Sequence, residues 1–158
     1  VYTGTRADRR RALDMEDMKK VFARLSQSAA IPPGMRGAQE LFIFMFLLRG
    51  LPFVDLAYLR KSDLRGDVIT YRRRKTGRPL SVTLTPEAMF LLQKYMNRDK
   101  RSPYLFPILR SAEGSPEAYR EYQLALRHFN YQLELLGRFL GLKDRLSSYT
   151  AKHNQFSI

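Results

Sequence analysis

The hydrophobic residues of the chain recur mainly three and four positions apart, which is the period of an amphipathic α-helix. The first such stretch begins after Asp14, a suitable N-cap. The sequence "AAIPPG" at residues 29–34 then predicts a break. The next stretch, residues 36–49, is apolar on almost every side, as is typical of a helix at the centre of a core. After "RGLP", a short helix is predicted over residues 53–59.

A β-strand signal is carried by one pair of segments. "DVITYRRR" and "PLSVTL" are rich in β-branched and aromatic residues, and "KTGR" joins them. Gly77 in this connection can adopt the positive φ angle that such tight turns require. The sequence therefore predicts a small β-hairpin near the middle of the chain.

Two further helix starts combine a hydroxyl cap, a proline and a glutamate, at residues 85–87 and 115–117. The second opens a long helix, predicted over residues 116–138. Its apolar positions recur at spacings of three and four: Tyr119, Tyr122, Leu126, Phe129, Leu133, Leu136 and Leu140. They could form a coiled-coil seam, but aromatic members favour packing inside a helical domain. A last helix is predicted to begin near residue 147 or 148.

Together these elements predict an α+β fold, a mostly helical single domain with one small β-hairpin or sheet. A length of 158 residues suits one domain. Residues 1–12 are polar and basic without periodicity and are predicted to be a linker or arm, which leaves residues 13–158 for the domain. Acidic side chains such as Glu16 and Asp17 are expected on solvated helix faces.

The charge balance narrows the choice of partners. The chain has 28 Lys and Arg residues against 15 Asp and Glu, a net charge of +13. This excess indicates a polyanionic partner, with nucleic acid favoured over an anionic membrane surface. The longest apolar run, "LFIFMFLL", is far shorter than the roughly 20 residues that span a bilayer. With no cysteine and two histidines, neither a disulfide framework nor a usual zinc site is expected.

The candidate functional residues are lysines and arginines, because no phosphate-binding glycine loop, zinc-protease motif or nucleophile motif occurs in the sequence. The stretch "YRRRKTGRPLSV" places Lys75 at the predicted turn among arginines. Preorganised Arg and Lys donors can stabilise a phosphodiester transition state without a metal, and a lysine can donate a proton to the leaving alkoxide. Lys75 could be such a general acid. The alternative is that residues 72–75 only grip backbone phosphates.

Three motifs in order along the chain resemble one family: "RGLPFVDLAYLRKSDL", "RRRKTGRPL" and "LSSYTAKHNQFSI". This succession resembles the catalytic domain of the tyrosine recombinases (phage integrases), especially integrases of conjugative transposons and related elements of the Bacteroides type. The resemblance implies a tyrosine-recombinase catalytic-domain-like fold. It also implies DNA strand cleavage and rejoining through a phosphotyrosine intermediate, in DNA integration or site-specific recombination, with no metal or other cofactor.

Carried over by position, the first two motifs give two catalytic candidates. The family's first arginine lies in a segment that corresponds to "GLPFVDL", so Pro52 stands in its place. Arg49, about one helical turn away, is the natural substitute, although it could instead be a snorkelling cap on the apolar helix. Lys75 matches the family's hairpin lysine.

The third motif departs further from the family pattern. Its box usually reads H-x-x-R, so Tyr149 takes the place of the histidine and Lys152 that of the arginine, with His153 following directly. Lysine keeps the charge but loses the bidentate fork of arginine. The family's nucleophilic tyrosine lies well downstream of this box, and the sequence ends at Ile158. The chain is therefore expected to be a partial catalytic domain, truncated at its C-terminal end, that binds DNA without cleaving it alone.

The remaining cations of these motifs are expected to hold the DNA backbone. They are Arg60, Lys61, Arg72, Arg73, Arg74 and Arg78. Arg120 and Arg127 on the long helix could also reach a groove of double-stranded DNA. The resemblance further implies a bacterial cytoplasmic, nucleoid-associated protein whose intact parent forms a tetrameric synapse on DNA. This piece by itself is expected to be a monomer, and no membrane partner is expected.

A second interpretation comes from another functional class. The chain could be a non-enzymatic basic DNA-binding module, a degenerate relic or regulator of the same ancestry. Lys152 in place of arginine and the missing nucleophilic tyrosine would then be the true state of the protein. A downstream tyrosine in the open reading frame would favour the recombinase.

Overall fold

The computed structural model describes residues 13–23 and 31–150 of the chain. Its elements are α1 (Met15–Phe22), α2 (Pro33–Leu47), α3 (Phe53–Tyr58), a 3₁₀ turn (Lys61–Asp63), β1 (Leu64–Arg65), β2 (Val68–Arg72), β3 (Pro79–Thr83), α4 (Pro86–Tyr95) and α5 (Pro116–Leu140). A helical turn at residues 148–150 follows. This helix-rich α+β architecture confirms the predicted fold class. Within the described ranges, no helix is long and apolar enough to cross a membrane.

Helix α2 forms the centre of the core and packs against α4 and α5. The side chains of Phe42, Ile43, Phe44 and Met45 are all buried, so apolar residues on every face of the helix find partners. The predicted centre of the core is thereby confirmed. The helix begins at Pro33, however, so the predicted break over residues 29–34 extends too far. Proline is favourable in the first turn, where its missing N–H would have no helical partner.

Helix α5 presents its predicted apolar face to the core. Phe129, Leu133 and Leu136 are buried, and Tyr122 is half-buried, which confirms packing inside the domain rather than a free coiled-coil seam. Tyr119 is the exception, because its side chain is 56% exposed at the start of the helix. The Ser115 hydroxyl caps the N-terminus, as predicted, by accepting a hydrogen bond from the amide of Ala118.

The three strands form an antiparallel sheet in the order β1-β2-β3. Ile69 pairs with Val82, and both side chains are buried, so one face of the predicted hairpin closes onto the helices. Gly77 lies in the turn with φ 73°, as predicted. Strand β1 was not predicted, because two residues are too short to carry an alternating pattern.

One acidic residue that was expected in solvent is instead fully buried. Asp17 on α1 accepts a hydrogen bond at Oδ2 from the backbone amide of Lys143, at 3.0 Å. The carboxylate satisfies an amide beyond the end of α5 and thereby ties α1 to that segment. Its neighbour Glu16 is exposed, as expected.

Helix α2 also carries a buried carboxylate, that of Glu40, whose residue is 2% exposed. Lys94 Nζ donates to Glu40 at 2.8 Å, the Tyr95 hydroxyl donates to the same oxygen, and Arg36 lies at 3.6 Å. Burial acts to raise the pKa of Glu40, but the hydrogen bonds from Lys94 and Tyr95 outweigh it, and the pKa lies below its ordinary value. Burial and the Glu40 carboxylate raise the pKa of Tyr95. This cluster joins α2 to α4.

Candidate nucleic-acid site

Helix α2 is followed by two consecutive residues with positive φ angles, Arg49 at φ 61° and Gly50 at φ 72°. The amide of Leu51 donates to the carbonyl of Met45 at 3.0 Å, which closes the helix end and directs the chain into α3. Glycine adopts this conformation without strain, whereas arginine does not. Arg49 is exposed and does not line either of the cavities described below.

The backbone strain at Arg49 allows its side chain and its backbone to be tested separately. We expect Arg49→Gly to be more stable than Arg49→Ala by about 1 kcal/mol, because only the glycine relieves the left-handed conformation. Denaturant unfolding of the two variants measures this difference. If the Arg49 guanidinium contacts DNA, both variants bind DNA more weakly than the unmodified chain, and by the same factor. Unchanged affinity in both would leave Arg49 as a helix cap, and equal stability would contradict the strain.

The hairpin tip presents Lys75 to solvent. The amide of Arg73 donates to the carbonyl of Arg78 at 2.9 Å, and the amide of Gly77 donates to the carbonyl of Arg73 at 2.6 Å. Arg72 Nη1 adds a hydrogen bond to the Gly77 carbonyl at 3.0 Å. These bonds close a short turn and hold Lys75 at its tip.

A cavity of about 240 Å³ lies beside this tip. It is lined by Pro52, Phe53, Val54 and Asp55 at the start of α3, by Arg73, Lys75 and Thr76 of the hairpin, by Tyr122 and Leu126 of α5, and by Ser148 and Tyr149 of the last helical turn. Three segments that are distant in sequence, each containing one of the motifs singled out above, therefore meet at one cavity. We call it the hairpin cavity.

Arg73 and Asp55 form the boundary between the hairpin cavity and a second, larger one. Asp55 Oδ1 accepts a hydrogen bond from the backbone amide of Arg74 at 3.0 Å, which attaches the hairpin to α3. Arg73 is half-buried, and its Nε makes no hydrogen bond within the described part of the chain. Burial raises the pKa of the neighbouring Tyr71, Asp55 adds to this effect, and Arg73 opposes it.

Two tyrosines also line the hairpin cavity. Tyr149 is 56% exposed, and Tyr122 is half-buried on α5. Burial raises the pKa of Tyr122, and Tyr149 contributes to the shift. The two other candidates of this motif, Lys152 and His153, fall outside the described residues.

The larger cavity is an open groove of about 660 Å³, lined by Arg60, Arg72, Arg73 and Arg74 together with Asp55, Asp63 and Glu113. We call it the arginine groove. The guanidinium of Arg74 lies 3.7 Å from the centre of the Tyr58 ring, a cation–π contact. Glu113 pairs with both Arg60 and Arg74. Four of the six predicted backbone contacts thus line one groove.

The remaining predicted cations lie outside the arginine groove. Lys61 Nζ donates to the backbone carbonyl of Asp99 at 2.5 Å, so this side chain is engaged locally. Arg78 is exposed on the hairpin beyond the tip. Arg120 and Arg127 are exposed on α5, where Arg120 lies 4.0 Å from Glu117.

Sequence reasoning missed three residues that build these cavities. Asp55 lies within the first family motif, and Tyr122 lies on the apolar face of the long helix, but neither pattern predicts a place in a site. Their proximity to Lys75 depends on tertiary contacts that no spacing encodes. Glu113 lies in the segment "RSAEG", which carries no periodic signal, and only the fold brings it to Arg60 and Arg74.

Comparisons with known proteins place the fold. No protein-family model matches the chain, and no curated protein matches it. Among solved structures, the chain is similar to one described as the crystal structure of XerA recombinase, with a TM-score of 0.56 and 17% sequence identity. The match covers 91% of this chain and 48% of the XerA chain, so this chain spans about half the length of that recombinase. At this identity, the likeness shows a shared fold.

Proposed function

We propose that this chain is the DNA-binding core of a tyrosine-recombinase catalytic domain, which acts in DNA integration or site-specific recombination. The observation that carries the proposal is the hairpin cavity, where the segments around Pro52, Lys75 and Tyr149 meet. These are the segments in which the sequence resembles the recombinase family. The shared fold with XerA recombinase supports the same conclusion.

In this proposal the scissile phosphate enters the hairpin cavity between the tip and α5. Lys75 lies at the tip and donates a proton to the leaving alkoxide. Arg73 lines the same cavity, and its Nε makes no hydrogen bond to any of the described residues. Its guanidinium stabilises the charge that develops on the non-bridging oxygens. It thereby supplies a cation where Pro52 replaces the family's arginine. Arg49, which does not line this cavity, and Lys152 remain proposed contributors.

Apolar residues in the lining of the hairpin cavity strengthen the stabilisation of the phosphate by Arg73. Phe53, Tyr122 and Leu126 line it, and the Phe53 and Tyr122 rings lie 6.2 Å apart. Apolar walls exclude water and lower the local dielectric constant, so a guanidinium–phosphate interaction is stronger there than on an open surface. The cavity is therefore suited to electrostatic stabilisation of a phosphodiester.

Duplex binding is expected to fall steeply with salt. If Arg60, Lys61 and the four hairpin arginines each neutralise one phosphate, the slope of log K against log salt concentration is about −5. Fluorescence anisotropy with a random-sequence duplex measures it. Replacing Arg72 and Arg78 together by alanine should reduce the magnitude of the slope by about 2.

The control for this experiment is the double variant Lys100→Ala with Arg101→Ala, which also removes two cations, at exposed loop positions that line neither cavity. That variant should keep the slope of the unmodified chain to within about 1. A slope near zero for the unmodified chain would contradict the proposal, and an equal loss of slope in the Lys100→Ala, Arg101→Ala control would contradict the placement of the DNA on the hairpin.

A further inference from the structure

Two arginine side chains in the arginine groove converge on one carboxylate. Arg60 donates to Glu113 Oε1 from both Nε and Nη2, at 3.1 and 2.8 Å. Arg74 Nη1 donates to Glu113 Oε2 at 2.8 Å. Each carboxylate oxygen is therefore held by a different guanidinium, and the two guanidinium groups define a single anion position between them.

Both arginines are held in place before any ligand binds. Arg74 stacks on the Tyr58 ring at 3.7 Å, and its backbone amide is fixed by Asp55. The backbone amide of Arg60 donates to Asp63 Oδ2 at 2.8 Å, and Arg60 forms an isolated β-bridge with Tyr104. Preorganised guanidinium groups lose little conformational entropy when they bind an anion.

The segment that carries Glu113 is also anchored. The Tyr104 hydroxyl donates to the carbonyl of Ser111 at 2.6 Å. Glu121 on α5 accepts hydrogen bonds from the amides of Arg110 and Ser111, at 2.9 and 3.0 Å. These hydrogen bonds fix the backbone next to Glu113, so the fold itself places the Glu113 carboxylate against the two arginines.

A phosphodiester can replace this carboxylate chemically. Both groups present two oxygens that share one negative charge, and both match the planar fork of arginine. The side chains of Glu113, Arg60 and Arg74 are 34%, 41% and 36% exposed, so a ligand can reach them from solvent. Hydrogen bonding by Arg74 holds the pKa of Glu113 below its ordinary value, against the effect of burial, and Arg60 adds to it. The carboxylate is therefore ionised at neutral pH.

We propose that Glu113 occupies a phosphate-binding site formed by Arg60 and Arg74, and that a backbone phosphate of bound DNA displaces it. Glu113 then competes intramolecularly with the DNA phosphate and lowers the affinity of the arginine groove for any duplex. This inference rests on the proposed DNA-binding function. Because the competitor belongs to the same chain, it is present at every protein concentration.

The test compares Glu113→Gln with Glu117→Gln in the same 158-residue chain. Both variants remove one negative charge, and Glu117 lies near Glu113 at the start of α5, where it is 4.0 Å from Arg120. The first probe is a short random-sequence duplex, measured by anisotropy. We expect Glu113→Gln to bind about three- to tenfold more tightly than Glu117→Gln, the range for losing two partly exposed ion pairs. Adding Arg60→Ala to Glu113→Gln should abolish the gain.

The second probe is inorganic phosphate, followed by NMR of the arginine side-chain resonances. Tighter phosphate binding by Glu113→Gln than by Glu117→Gln supports the site even if no variant binds duplex, in which case only the proposed function fails. If the unmodified chain binds duplex and the two variants bind it equally, or Glu113→Gln binds it more weakly, Glu113 is a structural tether and the inference is overturned. If no variant binds either probe, both proposals are overturned.

Discussion

Under the proposed function, replacing Lys75 by alanine in a full-length recombinase that includes this chain is expected to slow DNA strand cleavage by about 10²–10⁴-fold, the range typical of a lost general acid. Duplex affinity should change only a few-fold, because one surface cation among many contributes little to binding. Lys75 lies at the tip of the hairpin and lines the hairpin cavity with Arg73. Single-turnover cleavage and anisotropy on the same duplex measure the two effects.

Two controls separate proton donation from charge. Lys75→Arg keeps the positive charge, but a guanidinium is a very weak acid, so this variant should bind duplex normally and cleave slowly. A substrate whose leaving oxygen is replaced by sulfur needs no proton, because a thiolate is a good leaving group, and it should restore cleavage by Lys75→Ala. Equal losses of binding and cleavage, without rescue by sulfur, would reduce Lys75 to a backbone contact.

Replacing Glu40 by alanine is expected to lower the free energy of unfolding by about 2–4 kcal/mol at pH 7. The carboxylate is buried, and its removal leaves Lys94, Tyr95 and Arg36 without their shared partner. The loss stays below that of a fully buried pair, because the Lys94 side chain is 44% exposed. Urea denaturation measures the loss. Glu117→Ala, at an exposed position, should cost less than about 1 kcal/mol.

The contribution of Glu40 should also depend on pH. Its folded-state pKa is lowered, so the stabilisation is complete above the unfolded-state pKa and is lost as the pH falls through the folded-state pKa. The difference in stability between the unmodified chain and Glu40→Gln should therefore shrink on acidification from pH 6 towards about pH 3. A difference that stays constant over this range would show that the charge of Glu40 does not stabilise the fold.

The fold was largely predictable because its elements have local signals. Two hydroxyl caps, each followed by proline, marked the starts of α4 and α5, and the apolar residues from Phe42 to Met45 marked the core. The errors occurred where tertiary contacts override local pattern. Asp17 looks like a solvated acid in sequence, and its burial depends on an amide of Lys143, 126 positions away.

The candidate site was predictable only in part. The hairpin lysine and its arginines stand out as a charge cluster, and motif order indicated that the regions of Pro52 and Tyr149 belong with them. Which cations share a cavity was not encoded in any spacing. Arg73 and Arg74 are adjacent in sequence, yet Arg73 lines both cavities, while Arg74 lines only the arginine groove, where its guanidinium stacks on Tyr58 and pairs with Glu113.

The hydrogen bond between Asp55 and the backbone amide of Arg74 has a consequence for protein engineering. It fixes the hairpin tip to α3 through main-chain rather than side-chain atoms of the hairpin. The basic hairpin is therefore not a portable module, since grafting residues 68–83 alone would leave the tip without its anchor. A chimera that is to keep Lys75 in position must transplant α3 and the hairpin as one unit.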